Sequence, residues 1–140
     1  MQEKKNIMIG IDYGTRRVGV AVSDDRAKIA FPERVIPQSP MLADVIVEIC
    51  ATRGATTLVV GESLTLKGER NSVQDDIDRF VADVSSRMDI PVILEREYWT
   101  SQEARRTQGM TETNDASAAA LILQRYLDKY AERTTGFEKT

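Results

Sequence analysis

A chain of 140 residues, 41% hydrophobic and 29% charged, has enough material for one buried core and too little for two. It contains no histidine, which excludes the usual general base, most zinc sites and every hydrolytic triad built on imidazole. The net charge of −3 excludes a global basic field, so a nucleic-acid partner would have to be met by a local patch.

In chain order, residues 6–14, 18–24 and 28–36 read as three short strands. The gaps between them are tight and rich in Gly, Asp and Arg, which predicts an antiparallel meander. Ser39-Pro40 predicts a helix start, with serine as cap and proline in the first helical position. Leu42, Val45, Ile46, Ile49 and Cys50 follow at helical spacing, and Gly54 stops the run. The single cysteine falls on that apolar stripe and reads as core packing. One cysteine allows no internal disulfide, so a reducing cytoplasm is the expected location.

Residues 57–61 form a compact apolar strand, and a polar loop runs from Glu62 to Arg70 around Lys67-Gly68. Asn71 or Ser72 caps a second helix with the stripe Val73, Ile77, Phe80, Val81, Val84 and Met88. Asp75, Asp76 and Asp78 suit the positive end of its dipole and read as solvated, structural charges. Residues 91–94 make the last strand, which ends in Glu95-Arg96-Glu97. A short helix at 101–108 precedes a helix opened by Asn114-Asp115, with Ala116, Ala119, Ala120, Leu123, Leu127 and Tyr130 on one face. No apolar run approaches the ~20 residues of a membrane span, and the first five residues lack the apolar region of a signal peptide. One domain over 1–131 with a polar, frayed tail over 132–140 is the expected organisation.

A meander followed by strand–helix alternation predicts an α/β, five-stranded mixed sheet in the order 3-2-1-4-5 with helices on both faces. In such a sheet the ends of strands 1, 4 and 5 lie side by side under the last helix. The acids at those places are Asp12, Glu62, Glu97 with Glu95 as its rival, and Asp115. Each has an ordinary explanation alone: Asp12 could open a hairpin, Asp115 could cap a helix, and the glutamates border loops. Converging carboxylates repel one another, however, and a hard divalent cation relieves that repulsion. Two ions about 4 Å apart could then drive phosphodiester hydrolysis without histidine.

The segment Gly10-Ile11-Asp12-Tyr13-Gly14-Thr15-Arg16-Arg17-Val18-Gly19-Val20-Ala21-Val22-Ser23-Asp24 resembles the opening of the YqgF/RuvX family of RNase H-like proteins. Val59-Val60-Gly61 with its Gly68-bearing loop, Thr100-Ser101-Gln102-Glu103-Ala104, and the run from Asp115 to Asp128 are similar to the family's later blocks. The resemblance implies an RNase H-like fold and a magnesium- or manganese-dependent nuclease. The family is assigned to 5′-end maturation of the small-subunit ribosomal RNA precursor, and some members are assigned to Holliday-junction resolution.

By position, the family's catalytic, metal-binding acids fall on Asp12, Glu97 and Asp115. The chain departs from the pattern twice. Arg96-Glu97-Tyr98 stands where the family has Asp-Glu-Arg, and Glu62-Ser63 where it has Leu-Pro. The second change leaves Glu62 where related junction resolvases carry a catalytic glutamate, so Glu62 rivals Glu97, which the family position favours.

Expected nucleic-acid contacts are Arg16, Arg17, Lys67, Arg70, Arg105 and Arg106, with Tyr98 and Trp99 available to stack on an unpaired base. Pre-rRNA is the expected partner and branched DNA the alternative, for a monomer or homodimer. Two other readings compete. Gly10–Thr15 also resembles the phosphate motif of the actin and sugar-kinase superfamily, although those proteins need two such domains. A nuclease-derived binding module that has lost its chemistry would carry the same fold.

Overall fold

The computed structural model describes residues 4–64, 72–98 and 115–138, with side chains over 4–61, 75–95 and 116–131. β1 (Met8–Asp12), β2 (Arg17–Ser23) and β3 (Ala30–Pro37) form the antiparallel meander. β4 (Thr57–Leu64) joins β1 in parallel, and β5 (Val92–Tyr98) joins β4 in parallel. The sheet order is β3-β2-β1-β4-β5, as expected, and it places β1 at the centre.

Boundaries moved where backbone pairing outran the apolar pattern. β4 and β5 continue past their hydrophobic stretches because each supplies the other's ladder, through Glu62↔Arg96, Ser63↔Glu97 and Leu64↔Tyr98. Apolar alternation reports burial, whereas strand length reports where hydrogen bonds can be found. Glu62 is therefore a strand residue and not part of a loop. α1 (Leu42–Arg53) begins later than Ser39-Pro40 suggested. Ser39 organises the turn before it: its hydroxyl accepts from the Met41 amide and its carbonyl from the Leu42 amide, each at 3.1 Å.

α2 (Ser72–Arg87) starts at an expected cap, and α3 (Asp115–Glu138) starts at the expected Asp115. α3 runs on to Glu138 through the stretch where the sequence favours a frayed tail. Once nucleated on the sheet, a helix propagates cheaply through residues such as Ala131, Glu132 and Arg133. The short helix expected at 101–108 lies outside the described residues. Among the described residues, no helix is long and apolar enough to cross a membrane.

Strand alternation divides the core in two. Ile9, Ile11, Val18, Val20, Leu58 and Val60 pack with Ile46, Ile49, Ile77, Phe80 and Val84 of α1 and α2. Met8, Ala21 and Val59 pack on the other face with Ala119, Ile122, Leu123, Tyr126 and Leu127 of α3. Two glycines set the closeness of that second contact. A Cβ on Gly10 would sit 2.7 Å from Leu123 Cβ and 3.2 Å from the Ala119 carbonyl oxygen. One on Gly61 would meet Ile122 Cδ1 at 2.5 Å. α3 therefore lies directly on the backbone of β1 and β4.

Candidate active site

Met8, Gly10 and Asp12 form one alternation series on β1, and it faces α3. Asp12 is half-buried on the last rung of the central strand. Its register partners are Gly19 on β2 and Gly61 on β4, so no side chain flanks it on either neighbouring strand. A carboxylate is costly to leave in so enclosed a position without a polar counterpart. The paired glycines keep neighbouring strand side chains out of the space beside it.

α3 runs back along β1. Tyr126 and Leu127 share a cluster with Met8, while Leu123 and Ala119 lie over Gly10. One helical turn before Ala119 is Asp115, the first residue of α3, which brings the start of that helix to the Asp12 end of β1.

On the far side of β4, Glu95 shares the rung of Asp12 through Gly61. Glu95 is engaged: its Oε2 accepts from Lys129 Nζ of α3 at 3.0 Å, and its side chain is 14% exposed. Glu97 stands two positions further on, in the alternation series of Ile93 and Glu95. Glu62 stands in the series of Leu58 and Val60, which serve the α1/α2 core. Of the expected acids, Asp12 and the rival Glu95 have described side chains. Among the described residues, no three His, Cys, Asp or Glu side chains come together.

Arg16 and Arg17 lie at the turn after Asp12 and are exposed, at the same end of the sheet. Lys67, Arg70, Arg105, Arg106 and Trp99 lie outside the described residues, and Tyr98 is the last residue of β5. Cys50 is buried and its thiol is pushed up to about 11 by that burial, consistent with core packing and not with a nucleophile.

Two residues near the site were not singled out by sequence. Tyr13 packs on Phe80 of α2 with ring centroids 5.4 Å apart, and lines a cleft of about 380 Å³ with Gln38, Ser39, Asp76 and Arg79. Burial raises its phenol above the ordinary tyrosine range, the charge of Asp76 adds to this, and a hydrogen bond with the Gln38 amide opposes both. Gln38 also donates from Nε2 to the Gly14 carbonyl at 2.8 Å. No local pattern announces Gln38, because the carbonyls it donates to, those of Gly14 and Arg16, lie more than twenty residues away in the chain.

Comparison with known proteins bears on what this arrangement does. A family model described as RuvX, Holliday junction resolvase, matches residues 6–129. A Chloroflexus aggregans protein named "Putative pre-16S rRNA nuclease" is 38% identical over 131 residues, covering 86% of this chain and 92% of its own. A Chlorobaculum tepidum protein of the same name is 32% identical over 140 residues, covering 89% and 94%. Among solved structures, Thermus thermophilus RuvC in complex with a Holliday junction substrate superposes with a TM-score of 0.58 at 15% identity, over 91% of this chain and 96% of that one. Fowlpox virus resolvase with Holliday junction DNA gives 0.59 at 9% identity, over 89% and 98%. At such identities these two show the fold, which is that of RNase H-like resolvases.

Proposed function

Because the chain belongs to the RuvX family, we propose that it is a metal-dependent nuclease acting in 5′-end maturation of pre-16S ribosomal RNA. The observation that carries this reading is the place of Asp12. It ends the central strand between two glycine partners, beside the start of the helix that opens with Asp115. The names of the relatives supply the substrate.

The donor set fits a hard cation. All candidates are carboxylates, and the chain has no histidine to favour a softer metal. Asp12, Glu97 and Asp115 would hold magnesium or manganese, which when bound supplies water activation and charge stabilisation at the leaving oxygen. Strand alternation supports Glu97 over Glu62, since Glu97 belongs to the series on the α3 face and Glu62 to the opposite one. Glu95 is a weaker rival because Lys129 already engages it.

The remaining work belongs to positioning. Ladder bonds to β2 and β4 fix the backbone of Asp12 from both sides. Arg16 and Arg17, with Lys67, Arg70, Arg105 and Arg106, would hold the phosphate backbone of the substrate. So few cations on a chain of net charge −3 give weak, strongly salt-dependent affinity for non-specific nucleic acid. The single buried cysteine suits a reducing compartment, and the cytoplasm is the proposed place of action.

Cleavage of branched DNA is the second reading, favoured by the family description and by the shared fold with junction resolvases. One assay separates the readings. The protein with magnesium or manganese is offered a pre-16S rRNA leader and a four-way DNA junction, alongside Asp12→Asn. Cleavage of the leader that Asp12→Asn abolishes is the expected result. Preference for the junction would move the assignment to resolvase. No cleavage of either substrate would leave a binding module.

A further inference from the structure

The β1 ladder stops at Asp12, and the next residues leave the sheet. What holds them comes from the end of β3. Gln38 donates its backbone N–H to the Arg16 carbonyl at 2.9 Å and its side-chain Nε2 to the Gly14 carbonyl at 2.8 Å. Its side-chain oxygen accepts from the Ser39 amide at 3.1 Å, which fixes the orientation of the amide group. The Tyr13 ring rests on Phe80, with centroids 5.4 Å apart. Gly14 admits no side chain in this turn, since a Cβ there would collide with the Arg17 carbonyl oxygen.

A hairpin turn is ordinarily closed by its own local backbone bonds. Here a side chain 24 residues from Gly14 contributes to the closure. Ordering a glutamine side chain loses rotamer entropy. The arrangement therefore favours a fixed turn more than it favours net stability. The residues it fixes are those between Asp12 and the Arg16-Arg17 pair.

We infer that Gln38 is a positioning residue of the proposed nuclease site, which sets Asp12 and the arginine pair relative to each other through the Tyr13–Arg17 turn. This inference rests on the nuclease reading above. Gln38 touches neither the reacting atoms nor a metal; it acts through the backbone of the turn.

Gln124 provides a matched control. It makes the same kind of staple away from the β1–β2 turn, accepting from the Ala30 amide at 2.8 Å and donating to the Lys28 carbonyl at 3.0 Å. The test compares the parent, Gln38→Ala, Gln38→Glu and Gln124→Ala in three measurements: melting temperature, kcat on whichever probe the parent cleaves, and the manganese concentration giving half-maximal thermal stabilisation. Gln38→Glu keeps the size of the side chain while removing the donor to Gly14, which guards against loss of folding in the alanine variant.

Both Gln38 variants should lower kcat by about 10–100-fold, the scale of an outer-shell partner. They should also raise the manganese midpoint. Gln124→Ala should lower the melting temperature and leave the other two readouts unchanged. Melting shifts alone in the Gln38 variants, with kcat and the manganese midpoint at parent values, would overturn the inference. If the parent cleaves neither probe, the nuclease reading falls instead, and an unchanged manganese midpoint in the Gln38 variants would still overturn the positioning role separately.

Discussion

The two faces of the sheet are built on opposite principles. The α1/α2 face is filled with bulk: Ile9, Ile11, Val20, Leu58 and Val60 meet Ile46, Ile77, Phe80 and Val84, most of them fully buried. The α3 face is made thin. Its strands offer Gly10 and Gly61, its helix offers Ala116, Ala118 and Ala119, and helix and sheet meet almost backbone to backbone. Volume stabilises the first face and tolerates small adjustments of its helices. Close approach fixes the second, and a helix so seated carries its first residue to a defined place. Asp12 falls on the thin face, in the series of Met8 and Gly10, where position matters more than burial.

The largest effect expected of a substitution on either face is chemical. Asp12→Asn keeps the shape of the side chain and removes a charged ligand. Since outer-shell changes cost metal sites about 10–100-fold, its cleavage rate should fall at least about 100-fold. The melting temperature in chelator should hold or rise, because repulsion among the acids is relieved. Retained cleavage would remove Asp12 from the site.

On the bulky face, Ile46→Ala should destabilise by about 2–5 kcal/mol through lost transfer and the cavity left behind. Activity per folded molecule should stay near that of the parent. On the thin face, Gly10→Ala should cost about 1–3 kcal/mol by overpacking, and its cleavage rate should fall further than that loss explains. Its new methyl would meet Leu123 Cβ and the Ala119 carbonyl, neither of which yields without moving α3. Gly61→Ala should cost at least as much, because its three nearest neighbours are Cγ1, Cγ2 and Cδ1 of Ile122, a buried β-branched side chain with little rotamer freedom. Chemical denaturation beside single-turnover cleavage checks all three variants. Equal losses of activity in Ile46→Ala and Gly10→Ala would erase the distinction between the faces. The smallest effect belongs to Lys129→Ala. The lysine is half exposed, so its pair with Glu95 should contribute less than about 1 kcal/mol.

The contrast between the faces also explains what could be read from sequence. The meander, the helical stripes and the strand order follow from periodicity and turn residues, and each is present. The far ends of β4 and β5 were missed because Glu62, Ser63, Arg96 and Glu97 carry no apolar pattern. Their strand character comes from each other's backbone. Among the acids, Asp12 stood out as a lone charge at the end of an apolar strand. The family position already favoured Glu97 over Glu62; the register adds that the two stand in opposite alternation series, Glu97 with Ile93 and Glu95, Glu62 with Leu58 and Val60. The staple by Gln38 was illegible for a different reason: a side-chain bond to a remote carbonyl leaves no local signature.

On the proposed reading, Asp12 and Glu97, and not Glu62, share a cation site on the α3 face. Manganese titration of the parent, Glu97→Gln and Glu62→Gln by calorimetry, with melting in chelator and in manganese, tests it most directly. Glu97→Gln should bind manganese more weakly, melt higher in chelator and gain less from the metal, since it removes both ligand charge and repulsion. Glu62→Gln should stay close to the parent in all three. The reverse ranking would transfer the role to Glu62, and equal manganese binding by all three proteins would contradict a cation site built on either glutamate.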